Sequence, residues 1–161
     1  MSAGRALHRV LLRVYGRLPA RARVGVVHLV APSHSVGALA LVERADGARL
    51  FVRQTYTPGW GMPGGLLARG EYPAQAAVRE AREELGIVIE VVGEPAVVVD
   101  PGPRRVDIVF RARLVRGAPR PTSDEIAEVR WFAADDLPPM QPEAVSALAA
   151  VQRLRHQTLD N

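Results

Sequence analysis

Apolar and basic positions recur at helical spacing near the start of the chain. Apolar side chains repeat every three or four residues at Leu7, Leu11, Val14 and Leu18. Arginines repeat every four residues at Arg5, Arg9, Arg13 and Arg17. The pattern predicts an amphipathic helix over residues 5–18 that Pro19 ends. A docking helix with a solvated arginine face is the simplest interpretation; a homodimer contact, a membrane-surface helix and an organelle transit segment remain open.

The chain then changes to the shorter apolar runs that are typical of strands. Strands are predicted over residues 24–30, 36–43 and 50–53. Further strands are predicted over residues 88–99, 106–114 and 128–132. Asp46-Gly47 predicts a hairpin turn, and the prolines and glycines between positions 58 and 65 predict a loop. Gly93-Glu94-Pro95 predicts an interruption of the strand that contains it.

Two further helices complete the predicted order of elements. Residues 74–85 have a helical pattern, with Pro73 at its start and Gly86 where a left-handed residue often ends a helix. Residues 143–155 form the last predicted helix. Strands mixed with helices, and no repeat or long linker, predict an α+β domain over residues 24–161, an α/β/α sandwich. Residues 1–23 are predicted to add a basic amphipathic helix in front of it.

Composition excludes several classes of function. The 161 residues contain no cysteine, which excludes disulfides, thiolate metal sites and cysteine nucleophiles and fits a cytoplasmic location. No uncharged apolar run is long enough for a membrane span. The net charge of +4 comes from 21 basic residues, all arginine, and 17 acidic ones. This charge attracts phosphorylated substrates, nucleic acid or anionic membranes. Because aromatic residues make up 5% of the chain, no specific nucleic-acid binding is expected.

Three carboxylates share one face of the helix predicted over residues 74–85. Glu80, Glu83 and Glu84 occupy positions i, i+3 and i+4, where like charges repel one another. A hard divalent cation removes that repulsion, because Mg²⁺ prefers oxygen ligands and often joins carboxylates to substrate phosphates. A solvated helix face, partly neutralised by Arg79, is the alternative on these residues alone.

The residues around these carboxylates form a longer motif. Gly65 is followed after five residues by Glu71, and after seven more by residues 79–87, which read REAREELGI. This segment resembles the Nudix box, and every fixed position of the box is filled. Residues 60–65 resemble the usual lead-in to the box, and residues 125–138 resemble the closing strand and turn of the family. The resemblance covers about residues 36–138.

The resemblance implies a fold and a metal site. The fold is the Nudix fold, a mixed β-sheet between helices with the box as a loop–helix element over the sheet. Glu83 and Glu84 resemble the direct ligands of Mg²⁺, with Mn²⁺ as the alternative ion. Glu80 resembles either a third ligand or the catalytic group that orients the attacking water. The main-chain carbonyl of Gly64 resembles a further metal ligand, since glycine allows close backbone approach.

Other residues of the resemblance have weaker signals. Glu71 and Arg79 resemble a structural pair that ties the loop to the helix. Family members often use another catalytic acid from the loop before the closing strand. Glu125 is the candidate, Asp124 and Glu128 are its rivals, and a solvated loop carboxylate is the alternative. The candidates for substrate binding are Arg53, Trp60, Arg104 and Arg105, since arginine suits phosphate and tryptophan can stack on a base or form a pocket wall.

The resemblance also implies an activity. The expected reaction is hydrolysis, by metal-activated water, of a diphosphate bond in a nucleoside diphosphate linked to another moiety. Triphosphate-sanitising and ADP-ribose-type pyrophosphatases both fit this expectation. A non-catalytic Nudix sensor or interaction module is the alternative, although such modules usually lose box carboxylates that this chain retains. The expected partner is a nucleotide-type small molecule.

Overall fold

The computed structural model describes residues 8–9, 13–30 and 33–159, which fall into two compact units divided between His34 and Ser35. In the N-terminal unit, residues 8–9 and 13–17 are helical, in agreement with the helix predicted over residues 5–18. The other residues of that prediction, apart from Leu18 in a bend before Pro19, lie outside the described residues. The predicted domain division between residues 1–23 and 24–161 stays a prediction.

The strand predicted over residues 24–30 is wrong, because this segment belongs to helix α1, Ala20–Val30. The Arg23 N–H donates to the Pro19 carbonyl at 3.1 Å and closes the first turn. Alanine and arginine are strong helix formers, and they fill the four positions before Val24. A short apolar run has no periodicity that separates strand from helix, so the residues before it decide.

A seven-stranded mixed sheet forms the second unit. Its strands are β1 Ser35–Glu43, β2 Arg49–Gln54, β3 Trp60–Gly61, β4 Gly64–Leu66, β5 Val88–Asp100, β6 Arg105–Arg116 and β7 Ile126–Phe132. The order is β3-β2-β1-β6-β5, while β4 pairs with β1 and β7 with β2. Only the β1–β6 pair among these is parallel. The predicted turn at Asp46-Gly47 joins β1 to β2, with Gly47 at φ 84°.

Two interruptions of the sheet were predicted, and they have different outcomes in the structure. The loop predicted between positions 58 and 65 contains β3 and β4, which are too short to show an alternating pattern. The break predicted at residues 93–95 is a register shift between Val92 and Ala96 within continuous β5, with Gly93 at φ 69°. Strand pairing therefore overrides the glycine and proline signals at β3 and β4. In β5 the pairing with β6 is irregular between Val92 and Ala96, at the position of the predicted break.

Helices cover the two faces of the sheet. The α2 helix, Pro73–Leu85, packs against one face, where Ala38 and Ala40 of β1 meet Ala77 and Ala81. The α3 helix, Pro142–Leu159, packs against the other face, where β1 contributes Leu39. The successive side chains of β1 thus enter two cores, which confirms the α/β/α arrangement. Among the described residues, no helix has the length and apolar character that crossing a membrane requires.

Candidate active site

The segment that contains Gly64 and Gly65, called the glycine loop, lies tightly between β1 and α2. Gly64 pairs with Leu39 and has φ 149°, and a Cβ there would collide with the Ala38 carbonyl oxygen. A Cβ at Gly65 would collide with the Glu80 carboxylate, whose Cδ it would approach to 2.6 Å. The loop backbone and the carboxylate of α2 therefore approach each other at a distance that only glycine allows.

Glu84 is the buried acid of this site. The residue is 5% exposed, and its Oε2 accepts a hydrogen bond from the Gly64 N–H at 3.0 Å. The pKa of Glu84 is raised to about 8, mainly by burial and also by the nearby carboxylates of Glu80, Glu125 and Glu83, against the opposing effect of the Gly64 N–H. The fold therefore places an excess of negative charge around one buried carboxylate.

Arg79 ties the loop to the helix, as the structural pair of the sequence motif suggests. Its Nε and Nη2 donate to the two oxygens of Glu71 at 2.8 and 3.0 Å, and Nη2 also donates to the Leu66 carbonyl at 3.2 Å. These hydrogen bonds, with one from the Ala68 N–H, lower the pKa of Glu71 to about 2. The remaining nitrogen, Nη1, donates to Glu80 at 2.8 Å and Glu83 at 3.0 Å.

One guanidinium thus contacts three acids, and it holds two of the three box carboxylates on one side of α2. The Glu83 side chain is 58% exposed, in contrast to buried Glu84. Glu80 and Glu83 share Arg79, whereas Glu84 faces the loop backbone. The structure therefore brings the predicted set together but gives its members different surroundings.

A second loop adds Glu125 to these acids. Its charge is one of those that raise the pKa of Glu84. The backbone of this loop is tied to α2, because Thr122 donates from its N–H to the Glu84 carbonyl at 2.8 Å and from Oγ1 to the Glu83 carbonyl at 2.7 Å. On the other side, the Thr55 N–H donates to the Glu125 carbonyl at 2.9 Å.

The two rivals of Glu125 lie in other surroundings. The Asp124 carbonyl accepts a hydrogen bond from Thr55 Oγ1 at 3.3 Å. The Glu128 carboxylate binds Arg53 at 2.9 Å and also contacts Arg130. Sequence analysis missed the threonines that hold this loop, because a lone threonine near prolines has no signal that distinguishes it from an ordinary loop residue.

A cleft of about 190 Å³ adjoins the glycine loop, and its lining includes Leu39, Gln54, Tyr56, Gly64, Arg105 and Gln141. Arg105 enters it with its Nε held by both oxygens of buried Asp107, at 2.8 and 2.9 Å. Partial burial raises the pKa of Tyr56, as do the charges of Glu125 and Glu84, while Arg105 lowers it. The Tyr56 hydroxyl is therefore close to both the acids and the arginine. Tyr56 and Asp107 were missed by sequence analysis.

The other candidates for substrate binding have protein partners elsewhere. Arg53 lies opposite Glu128 in the β2–β7 pair and binds it. Trp60 packs edge-on against Phe132, with ring centroids 4.8 Å apart, and belongs to the core cluster under α3. Arg104 is exposed in the turn before β6, with φ 54°, and its carbonyl accepts the Ser35 N–H at 2.9 Å.

The donor set fits a hard divalent cation. Within the described ranges, no group of three His, Asp or Glu side chains has the geometry of a metal site. The donors are nevertheless carboxylate and main-chain oxygens, which Mg²⁺ prefers. The raised pKa of buried Glu84 results partly from three neighbouring carboxylates, an electrostatic situation that a bound cation relieves.

The NUDIX domain family matches residues 33–152. The chain belongs to the Nudix hydrolase family. A MutT-like protein of Streptomyces ambofaciens is 36% identical over 66% of this chain and 68% of that protein. A NAD-capped RNA hydrolase, NudC, of Pseudomonas aeruginosa is 34% identical over 68% of this chain, which spans 40% of NudC.

Solved structures show the same fold. A MutT Nudix hydrolase from Burkholderia pseudomallei has a TM-score of 0.65 at 32% identity, and the likeness covers 74% of this chain and 99% of that one. A UDP-X diphosphatase has a TM-score of 0.67 and covers 96% of this chain and 81% of that one. At 19% identity, the likeness to the diphosphatase concerns the fold alone.

Proposed function

We propose that this Nudix hydrolase cleaves a diphosphate bond in a nucleoside diphosphate linked to another moiety, with Mg²⁺ or Mn²⁺ as its cofactor. The main support is buried Glu84, which lies beside Glu80, Glu83 and Glu125 at the glycine loop. Such a surplus of negative charge destabilises an empty site and favours a bound cation. A nucleotide diphosphate brings further oxygen ligands to that cation and needs it for charge neutralisation.

The box residues would hold the metal. We assign Glu83, Glu84 and the Gly64 carbonyl as its ligands, and Glu80 as either a further ligand or a group that orients water. When bound there, a divalent ion neutralises phosphate oxygens and lowers the pKa of coordinated water. Arg79 binds Glu80 and Glu83 and thereby positions both for this role.

Glu125 is proposed to accept the proton of the attacking water. Glu80 Oε1 already accepts a hydrogen bond from Arg79 at 2.8 Å, so that this oxygen is occupied. Glu125 is anchored through its backbone next to Glu84, and within the described chain its carboxylate has no hydrogen-bond partner. A general base must lie within reach of the water and remain free to accept its proton.

Arg105 is proposed to bind the substrate phosphates. The Asp107 carboxylate occupies only its Nε, so that its terminal nitrogens remain available to the cleft. Arginine binds phosphate oxygens through two parallel hydrogen bonds. Tyr56 lines the same cleft and offers a hydroxyl and a ring face to the substrate. Arg53, Trp60 and Arg104 remain predictions with less structural support.

The test compares wild type with Glu84→Gln on a panel of nucleotides with Mg²⁺ or Mn²⁺. The panel contains dNTPs, oxidised dNTPs, ADP-ribose, NADH, dinucleoside polyphosphates and nucleotide sugars. We expect one compound class to be cleaved and kcat to fall at least about a hundredfold in Glu84→Gln, with the fold retained. Glu94→Gln removes an exposed carboxylate of β5 and serves as the matched control.

The same panel tests the alternatives. Undiminished turnover in Glu84→Gln would contradict the assignment of Glu84 as a metal ligand. Binding without cleavage of any compound would favour the non-catalytic sensor instead. NADH is included because one relative is named for hydrolysis of NAD-capped RNA. A cytoplasmic location and a homodimer remain predictions of the sequence.

A further inference from the structure

A second cavity, of about 1030 Å³, lies at the opposite end of β1 and α3 from the cleft. The cleft includes Leu39 and Glu143, while the second cavity includes Glu43 and Arg155 of the same two elements. Along α3 alone, the rise from Glu143 to Arg155 is about 18 Å. The two cavities are therefore separate places on one face of the sheet.

Three arginines of this cavity converge on one carboxylate, that of Glu43. Arg111 Nε is 3.0 Å from Glu43 Oε2, and Arg155 Nη1 is 3.4 Å from Oε1. Arg49 Nε lies 3.6 Å from the same Oε1. No other carboxylate of the described residues forms an ion pair with these three guanidinium groups. One negative charge thus faces three positive charges.

Arg49 is the most unusual member of this group. The residue is 8% exposed, and its Nε is buried without a hydrogen-bond partner in the described structure. A buried guanidinium with an incomplete partner is costly, since both its charge and its N–H donor lose water. A bound anion in the cavity would supply the missing negative charge.

The other arginines of the cavity have partners of their own. Arg44 binds Asp46, and Arg113 Nη2 lies 2.7 Å from Glu90 Oε2. These pairs add little net charge to the cavity. The uncompensated positive charge therefore belongs to Arg49, Arg111 and Arg155. We call these three arginines and Glu43 the arginine pocket.

We propose that the arginine pocket binds a phosphate-bearing small molecule at a site separate from the candidate active site. Guanidinium groups match phosphate oxygens in geometry as well as charge, which lysine does not. The cavity has the volume of ordinary small-molecule sites, so a nucleotide or an inorganic polyphosphate fits inside it. A purely structural role for Glu43 would need one arginine, and the pocket has three.

Inorganic pyrophosphate is the first probe, titrated calorimetrically into the protein in EDTA. Without divalent metal the carboxylates around Glu84 repel the anion, so that binding reports on the arginine pocket. We expect saturable binding that weakens about tenfold in Arg155→Ala, because one charged hydrogen-bond donor is lost. Arg155 is half-exposed, with 46% of its side chain accessible, so its removal should leave the fold intact.

Arg153→Ala is the matched control, because it removes the same charge from an exposed position of the same helix that does not line the cavity. Absence of saturable binding, or equal weakening in both variants, would overturn the proposal. Glu43→Gln should instead tighten binding severalfold, since it removes the one carboxylate of the described chain that pairs with these arginines. Weaker binding in folded Glu43→Gln would also contradict it. Titration with ADP distinguishes a nucleotide site from one for inorganic polyphosphate.

Discussion

Two charged regions lie along β1, an acidic end near Leu39 at the middle of the strand and a basic end at Glu43, and they carry opposite surpluses of charge. Near Leu39, buried Glu84 lies among three other acids and a single arginine, Arg79, neutralises part of their charge. At Glu43, the arrangement is reversed, because three arginines surround one acid. Folding tolerates such surpluses only where other interactions compensate for them. A sheet of this size can therefore hold a surplus of acidic groups and a surplus of arginines without mutual neutralisation.

Replacement of Gly64 tests the acidic end most severely. Gly64→Ala places a Cβ against the Ala38 carbonyl oxygen and 2.9 Å from Leu39 Cα, at a φ that L-residues rarely adopt. We expect a loss of about 3 kcal/mol or more in the free energy of unfolding, measured by denaturant titration. Gly102→Ala is the control, since its new Cβ meets only Asp100 at 3.4 Å. Equal stabilities of the two variants would contradict the close approach.

The next variant tests whether the acidic end and the arginine pocket act independently. Arg79→Met removes the guanidinium that contacts Glu71, Glu80 and Glu83. We expect kcat to fall about tenfold to a hundredfold, because the acids lose the group that positions them. Pyrophosphate affinity in EDTA should stay within about twofold of wild type, since sites at this distance act independently.

Arg82→Met is the matched control for Arg79→Met, as Arg82 is an exposed arginine of the same helix. A similar loss of kcat in both variants would indicate a general effect of helix charge. A fall in pyrophosphate affinity in Arg79→Met alone would show that the two ends are coupled, and the comparison would then fail.

The sequence predicted the acidic end but not the arginine pocket. The acidic end was predicted because residues 64–87 are contiguous, and helical spacing alone brings Glu80, Glu83 and Glu84 to one face. The arginine pocket was not predicted, because its four members come from β1, β2, β6 and α3. With 21 arginines in the chain, no pattern marks the three that converge in space.

Dependence on partners far away in sequence also explains the errors in predicting short strands and single residues. Apolar runs predicted β1, β2 and β6 well, because each run is long enough to stand out from the turns beside it. The short strands β3 and β4 exist only through their partners in the sheet. Likewise Thr122 acquires a role only when chain segments far apart in sequence come together.

A change of pH tests the neutralising part of the acidic end. Glu71 has a folded pKa of about 2, below its ordinary value of 4.5, because Arg79 and the Ala68 N–H bind its charged form. A lowered folded pKa means that this stabilisation is complete above pH 4.5 and is lost as the pH falls towards 2. The unfolding free energies of wild type and Glu71→Gln should therefore converge over that interval. A difference that stays constant with pH would contradict the ion pair.

The smallest expected effect concerns the loop that carries Glu125. Thr122→Val keeps the shape of the side chain and the hydrogen bond from its N–H to the Glu84 carbonyl, but loses the Oγ1 bond to the Glu83 carbonyl. We expect a loss of about 1 kcal/mol in unfolding free energy, the value of one hydrogen bond. Thr122→Ser retains the hydroxyl and should lose clearly less. If the Ser variant loses more than the Val variant, packing of the Thr122 methyl against Gly86, rather than the hydroxyl, ties the loop to the helix. The arginine pocket provides the internal reference, because its pyrophosphate affinity should be the same in both variants.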